Sequence, residues 1–202
     1  ILGQWLKFSE KDIRILTISG LLHDIGKIMI PNEILTKPGK LTVAEYNIMK
    51  QHVNFGYEKV KNQNIDIRIK EACLLHHEKC DGTGYPFGLK SDHIPAVAKI
   101  IAIADVYDAM TSARVYRGAL CPFEVIDTMY KDAFTKFEPE YILPFLKNVA
   151  SSYINNDVRL SDGRIGKVVL INENALSLPI VQCEDEFIDL SKTRGLTVSA
   201  IL

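Results

Sequence analysis

The chain has 202 residues, 47% of them hydrophobic and 24% charged, with a formal net charge of −1. That length provides for one substantial core and a smaller second one, and the near-zero charge excludes the broad basic surface that a nucleic-acid polymer or an anionic membrane selects. No run approaches the ~18 apolar residues of a membrane span, and no signal-peptide n-region stands at the start.

The four cysteines (Cys73, Cys80, Cys121, Cys183) lie far apart and form no C-x-x-C pair, so reduced thiols in a cytoplasm are expected. The chain begins at Ile1 without a Met, in what reads as the middle of an element, which predicts a piece of a longer polypeptide. From Ser9 to about Lys27 the apolar positions recur at helical spacing, with Ser9 and Asp12 as the start signal. Thr42 and Glu45 repeat that signal before a helix expected to run to about Lys61, after a loop marked by Pro31, Pro38 and Gly39. His52 falls on its apolar face. A further helix is expected from about Asp66 to His77, with Ile69, Ala72, Cys73 and His76 on one side. The loop "DGTGYPFG" follows, and Pro95 then opens a helix from about Ile94 to Ser112. Shorter helices are expected at about 122–134 and 139–153, the second bent at Pro144.

After about Asn155 the hydrophobic period shortens to two, and "DVRL", "RIGKVVLI", "IVQC", "EFIDL" and "LTVSAI" read as short strands joined by turn residues. The expected fold is therefore mainly α, a helical bundle over 1–154 with a small C-terminal antiparallel β unit over 155–202. At under 50 residues that unit needs the helices for stability.

Chemistry is signalled by where the imidazoles fall. His23, His52, His76 and His77 take inner-face or helix-end positions on three successive helices, Asp24 adjoins His23, and Asp105 is the charged residue within "IIAIADVY". Such groups are costly to bury without compensation, and His with carboxylate from several helices is how helical bundles hold paired metal ions. Ions ~3.5 to 4 Å apart can activate water and clamp a phosphoryl group. Three features stay open on the residues alone. Lys27 would emerge on the face of His23 if the helix continued, yet on the residues alone it reads more readily as a surface lysine after a helix end. Gly82, Gly84 and Tyr85 could bring backbone and a ring face to a base, or merely turn the chain. Arg114 and Arg117, one helical turn apart after Asp105, could take phosphate oxygens or face solvent.

His23-Asp24 followed by "IGK" resembles the signature of the HD metal-dependent phosphohydrolase superfamily, and "HHEKCDGTGYP" from His76 to Pro86 resembles the motif of its HD-GYP branch. The resemblance covers about residues 1–150. It implies hydrolysis of the bacterial second messenger cyclic di-GMP to pGpG or GMP by two or three divalent ions, iron or manganese. The implied metal ligands are His23, Asp24, His52, His76, His77 and Asp105, with Asp24 the bridge and a bridging hydroxide the nucleophile. Lys27 is the implied contact to the scissile phosphate and an aid to the leaving oxygen, and Gly84, Tyr85, Pro86, Arg114 and Arg117 are the implied substrate contacts. An upstream sensory or receiver domain and a homodimer are further expectations. The family also draws a Glu and a His from a helix before the HD pair, and their place falls before Ile1. A chain without them is expected to bind cyclic di-GMP but turn it over poorly. Two alternatives remain: a phosphohydrolase for another nucleotide such as cyclic GMP-AMP, and a catalytically impaired nucleotide-binding or protein-interaction module.

Overall fold

The computed structural model describes residues 1–112 and 118–202. Short α1 (Leu2–Trp5) leads into α2 (Glu10–Leu22), which Ser9 caps by accepting from the Asp12 amide. A five-residue 3-10 turn, Ile25–Met29, and short α3 (Asn32–Leu35) then lead to α4 (Val43–Met49) and α5 (His52–Val60). The remaining helices are α6 (Ile67–Leu75), α7 (Ala96–Thr111), α8 (Pro122–Asp132) and α9 (Pro139–Ser152), with Pro144 inside the last.

Two expected helices are interrupted. The first ends at Leu22: His23, its C-cap, keeps α dihedrals and its amide donates to the Ser19 carbonyl, but Asp24 leaves the α path (φ −98°, ψ 7°) and the backbone tightens into the 3-10 turn. Gly26 supplies the reason: a Cβ there would stand 1.9 Å from the His52 carbonyl oxygen and 2.4 Å from the Gly56 nitrogen. Only a glycine lets this turn lie against the α5 backbone. The second expected helix, Thr42 to Lys61, breaks between Met49 and His52 into α4 and α5. Its start is as expected, since Thr42 and Glu45 form a reciprocal capping box.

Helix α7 is apolar almost all round, as a helix buried on two sides must be. One side, with Ile100 and Ile101, packs on Ile15 and Leu16 of α2 and Ile69 and Ala72 of α6. The other, with fully buried Ile103, joins α8 and α9 in a second core. The five strands, β1 (Asp157–Leu160), β2 (Ile165–Leu170), β3 (Ile180–Cys183), β4 (Glu186–Asp189) and β5 (Val198–Ile201), form an antiparallel sheet in the order β4-β3-β2-β1-β5. Val158, Leu160, Val168 and Val181 from its inner face belong to that same second core. The sheet thus shares its apolar interior with α8 and α9, which supplies the support a sheet of this size requires. None of the described helices is long and apolar enough to cross a membrane.

Candidate metal centre

Five elements converge on one interior point. The end of α2 delivers His23, and Asp24 opens the 3-10 turn; the first residue of α5 is His52; the end of α6 delivers His76 and His77; and α7 delivers Asp105. Their ligand atoms fall into two groups, Asp24 with His52, His76 and His77, and Asp24 with His23 and Asp105. Within each group these atoms all lie within 4.8 Å of one another, and Asp24 belongs to both. All six expected ligands are thereby brought together.

The orientation of the rings decides what they can do. Nδ1 of His23 lies 2.8 Å from the Gly20 carbonyl, Nδ1 of His52 2.8 Å from that of Met49, and Nδ1 of His76 2.9 Å from that of Ala72. A carbonyl only accepts, so each Nδ1 carries a hydrogen, and in its neutral form each ring turns its Nε2 lone pair inward. Those inward atoms crowd together. Nε2 of His52 is 3.3 Å from Asp24 Oδ1 and 3.4 Å from Nε2 of His76, and Nε2 of His23 is 3.3 Å from Asp24 Oδ2 and 3.7 Å from Asp105 Oδ1. His23 Nε2 and Asp24 Oδ1 are buried without a hydrogen-bond partner among the described residues. Buried polar atoms left in that state call for an ion or water. Inward lone pairs, a shared carboxylate and orphaned atoms together fit a pair of divalent cations.

Electrostatics divides the cluster. Burial drives the imidazoles of His52, His76 and His77 toward the neutral form, and it holds His76 at about 4 and His77 at about 3. His23 feels the same burial, but the carboxylates of Asp105 and Asp24 beside it favour the charged ring and raise its pKa to about 10. Asp24 also resists burial, which would raise its pKa; His23 and Lys27 hold it well below the usual carboxylate range. Asp105 is likewise lowered by His23 against the cost of burial. Without metal, then, the proton on His23 and the Lys27 ammonium balance two carboxylates. A cation bound there would take the place of that proton.

Lys27 does reach the site, but not from a continuing α-helix. The 3-10 turn brings its ammonium to Asp24 Oδ2 in a close ion pair. The Gly-rich loop folds back over α6: the Tyr85 amide donates to the His77 carbonyl, and a Cβ on Gly84 would meet the Lys79 nitrogen at 2.4 Å. Gly84 is therefore a packing necessity. Tyr85 stacks on His77, with centroids 4.7 Å apart and planes at 26°, so one of its faces is already taken. The Tyr85–Pro86 peptide is cis. Arg114 and Arg117 lie outside the described residues.

Two contributions were not anticipated from the sequence. Glu78 is almost fully buried, and its carboxylate accepts from the amides of Phe87 (2.7 Å), Gly88 (3.1 Å) and Leu89 (2.9 Å), which pins the loop to α6. Its place directly after the two histidines is the one available signal. Tyr46 of α4 and Lys50, the residue that caps its end, stand at Tyr85, with the Lys50 ammonium 5.9 Å from the Tyr85 centroid.

The chain is similar to several known proteins. A Pseudomonas aeruginosa protein named as a cyclic di-GMP phosphodiesterase is 37% identical over 182 residues, covering 90% of this chain and 44% of its own length. A Xanthomonas campestris response regulator of the same named activity is 41% identical over 152 residues, 74% of this chain and 40% of its own. A Vibrio cholerae protein named as a 3'3'-cGAMP-specific phosphodiesterase is 37% identical over 137 residues, 66% of this chain and 26% of its own. The chain thus spans less than half the length of these relatives. The solved structure of an HD-GYP-type protein from Bdellovibrio bacteriovorus shares the fold, with a TM-score of 0.59 at 23% identity over 71% of this chain and 46% of that one. Residues 1–141 match the HD domain, and the chain belongs to the HD domain family.

Proposed function

We propose that this chain is the hydrolytic unit of a cyclic di-GMP phosphodiesterase of the HD-GYP branch, opening the cyclic dinucleotide to pGpG or GMP. The observation that carries the reading is the pair of ligand groups joined by Asp24, three imidazoles on one side and His23 with Asp105 on the other. Relatives named for this activity support it. His23, Asp24, His52, His76, His77 and Asp105 would hold two divalent ions, or three with ligands from a longer chain, and iron or manganese suits a mixed imidazole and carboxylate set. Such a pair, when bound, supplies Lewis acidity and charge neutralisation at the phosphoryl oxygens.

The residues themselves contribute orientation and charge. Backbone carbonyls at Gly20, Met49 and Ala72 fix the tautomer of three imidazoles, so their lone pairs need no reorganisation. Lys27, paired with Asp24, holds positive charge where the scissile phosphate enters and can pass a proton to the leaving oxygen. Gly84, Tyr85 and Pro86 shape the loop above the centre, and Arg114 and Arg117 would take phosphate oxygens of the substrate. In the organisation we infer, residues 1–154 carry the metal centre and 155–202 buttress it; an upstream sensory or receiver domain, a cytoplasmic location and a homodimer complete the proposal.

Hydrolysis of 3'3'-cyclic GMP-AMP is the second reading, favoured by relatives named for it at similar identity. Turnover of cyclic di-GMP, 3'3'-cyclic GMP-AMP and a deoxynucleoside triphosphate by iron- or manganese-loaded protein tests both. Linear dinucleotide from cyclic di-GMP alone is expected; turnover of the triphosphate alone would overturn the proposal.

A further inference from the structure

Lys50 meets the Tyr85 loop, which stacks on His77, in surroundings unlike those of an ordinary surface lysine. It is half-buried, and among the described residues no carboxylate pairs with its ammonium. The ammonium instead lies 5.3 Å from the Tyr46 centroid and 5.9 Å from the Tyr85 centroid, between two rings 6.5 Å apart and nearly perpendicular at 82°. A contact with Tyr46 alone would be a local pairing one helical turn apart. Tyr85 makes it more than local, because that ring comes from a distant loop and its other face is stacked on His77. The notch is also fixed to the centre along the chain: Met49, the last residue of α4, accepts from Nδ1 of the proposed ligand His52. Tyr46 is 48% exposed, so it offers an apolar face to an incoming group.

An aromatic face beside a cation with three donors and no acceptor is suited to one kind of partner. It fits a purine that stacks on the ring and presents acceptors on its edge. Guanine presents two there, N7 and O6, whereas adenine sets an amino donor against the ammonium. A phosphate would gain nothing from two ring faces. Resting on the proposed cyclic dinucleotide phosphodiesterase activity, we infer that Tyr46 and Lys50 form a base-reading subsite, in which Lys50 donates to N7 and O6 of a guanine and thereby selects it over adenine.

Binding of cyclic di-GMP and cyclic di-AMP to metal-loaded protein tests this, measured for the parent, Lys50→Ala, Lys50→Met and Tyr46→Ala, with metal content determined for each. The parent should prefer cyclic di-GMP by about tenfold or more, the range expected for one base contact. Both Lys50 variants should lose at least fivefold for cyclic di-GMP, change little for cyclic di-AMP and keep the parent's metal content. Tyr46→Ala should weaken both ligands, since stacking tolerates either purine. Equal losses for the two dinucleotides in the Lys50 variants would mark a charge contact to phosphate and overturn the inference, as would unchanged binding. A parent that binds neither dinucleotide would overturn the proposed function itself and this inference with it, a result distinct from a parent that binds both alike.

Discussion

Replacing Glu78 by alanine removes the acceptor for three backbone donors at once. The carboxylate is 4% exposed, and its bonds to the Phe87, Gly88 and Leu89 amides span 2.7 to 3.1 Å. A hydrogen bond to a charged group contributes about 1.5 to 3 kcal/mol net, and a donor left buried costs a similar amount. Phe87 and Gly88 are exposed residues whose amides water can reach after the change, whereas Leu89 is half-buried. Counting the Leu89 bond in full and the other two at a fraction gives a loss of about 3 to 5 kcal/mol. For a chain of this size that lowers the melting temperature by roughly 6 to 20 °C. Thermal unfolding followed by circular dichroism reads it directly. Glu78→Gln, which keeps one acceptor oxygen, should fall between parent and alanine. Metal content should stay near the parent's, since Nδ1 of His76 is held by the Ala72 carbonyl of α6 and not by the loop. A melting temperature of Glu78→Ala within about 2 °C of the parent would refute the pinning of the loop by this carboxylate.

Gly26→Ala should unfold the protein or strip its metal, because the added methyl falls 1.9 Å from the His52 carbonyl oxygen; parent-like metal content in a folded variant would contradict the close approach. Arg114→Ala and Arg117→Ala should weaken cyclic di-GMP binding while sparing metal, as calorimetry and elemental analysis would read together; unchanged binding in both would return the pair to the surface. In metal-free protein, His23 is the pH-sensitive group, flanked by Asp24, Asp105, His76 and, through Asp24, Lys27. Its pKa is raised from 6.5 to about 10, so the stabilisation is fully present below pH 6.5 and lost as pH rises through about 10. The metal-free melting temperature should therefore decline over that window, and Asp105→Asn should flatten the decline; a flat parent profile would contradict the shift.

The ligands were legible in the sequence because an imidazole or carboxylate inside an apolar helical run has few other uses. His52 and Asp105 each stand on an inner face, and the structure brings both to the cluster. Helix starts were legible for a similar reason, since Ser9 and Thr42 carry their own hydrogen-bond acceptors. What could not be read depends on contacts distant along the chain. Periodicity carried the first helix through to Lys27, but the α path stops at Leu22 because the 3-10 turn must lie against the α5 backbone, where only Gly26 fits. The role of Glu78 rests on the amides of Phe87, Gly88 and Leu89, which only the folded loop returns to it. Tyr46 and Lys50 meet a ring distant along the chain only through the Tyr85 loop. The β unit was legible as strands but not as part of the α8–α9 core, because burial of one sheet face against a helix leaves no mark in the strand pattern beyond alternation.

The central claim is that Asp24 joins two metal sites, and one measurement bears on it most directly. Metal stoichiometry is determined by elemental analysis after anaerobic loading of the parent and of Asp24→Asn, with folding checked by circular dichroism. The account predicts two ions per chain in the parent and loss from both sites in the folded variant, because the same carboxylate belongs to the His52, His76, His77 group and to the His23, Asp105 group. A folded Asp24→Asn variant that retains two ions would contradict it.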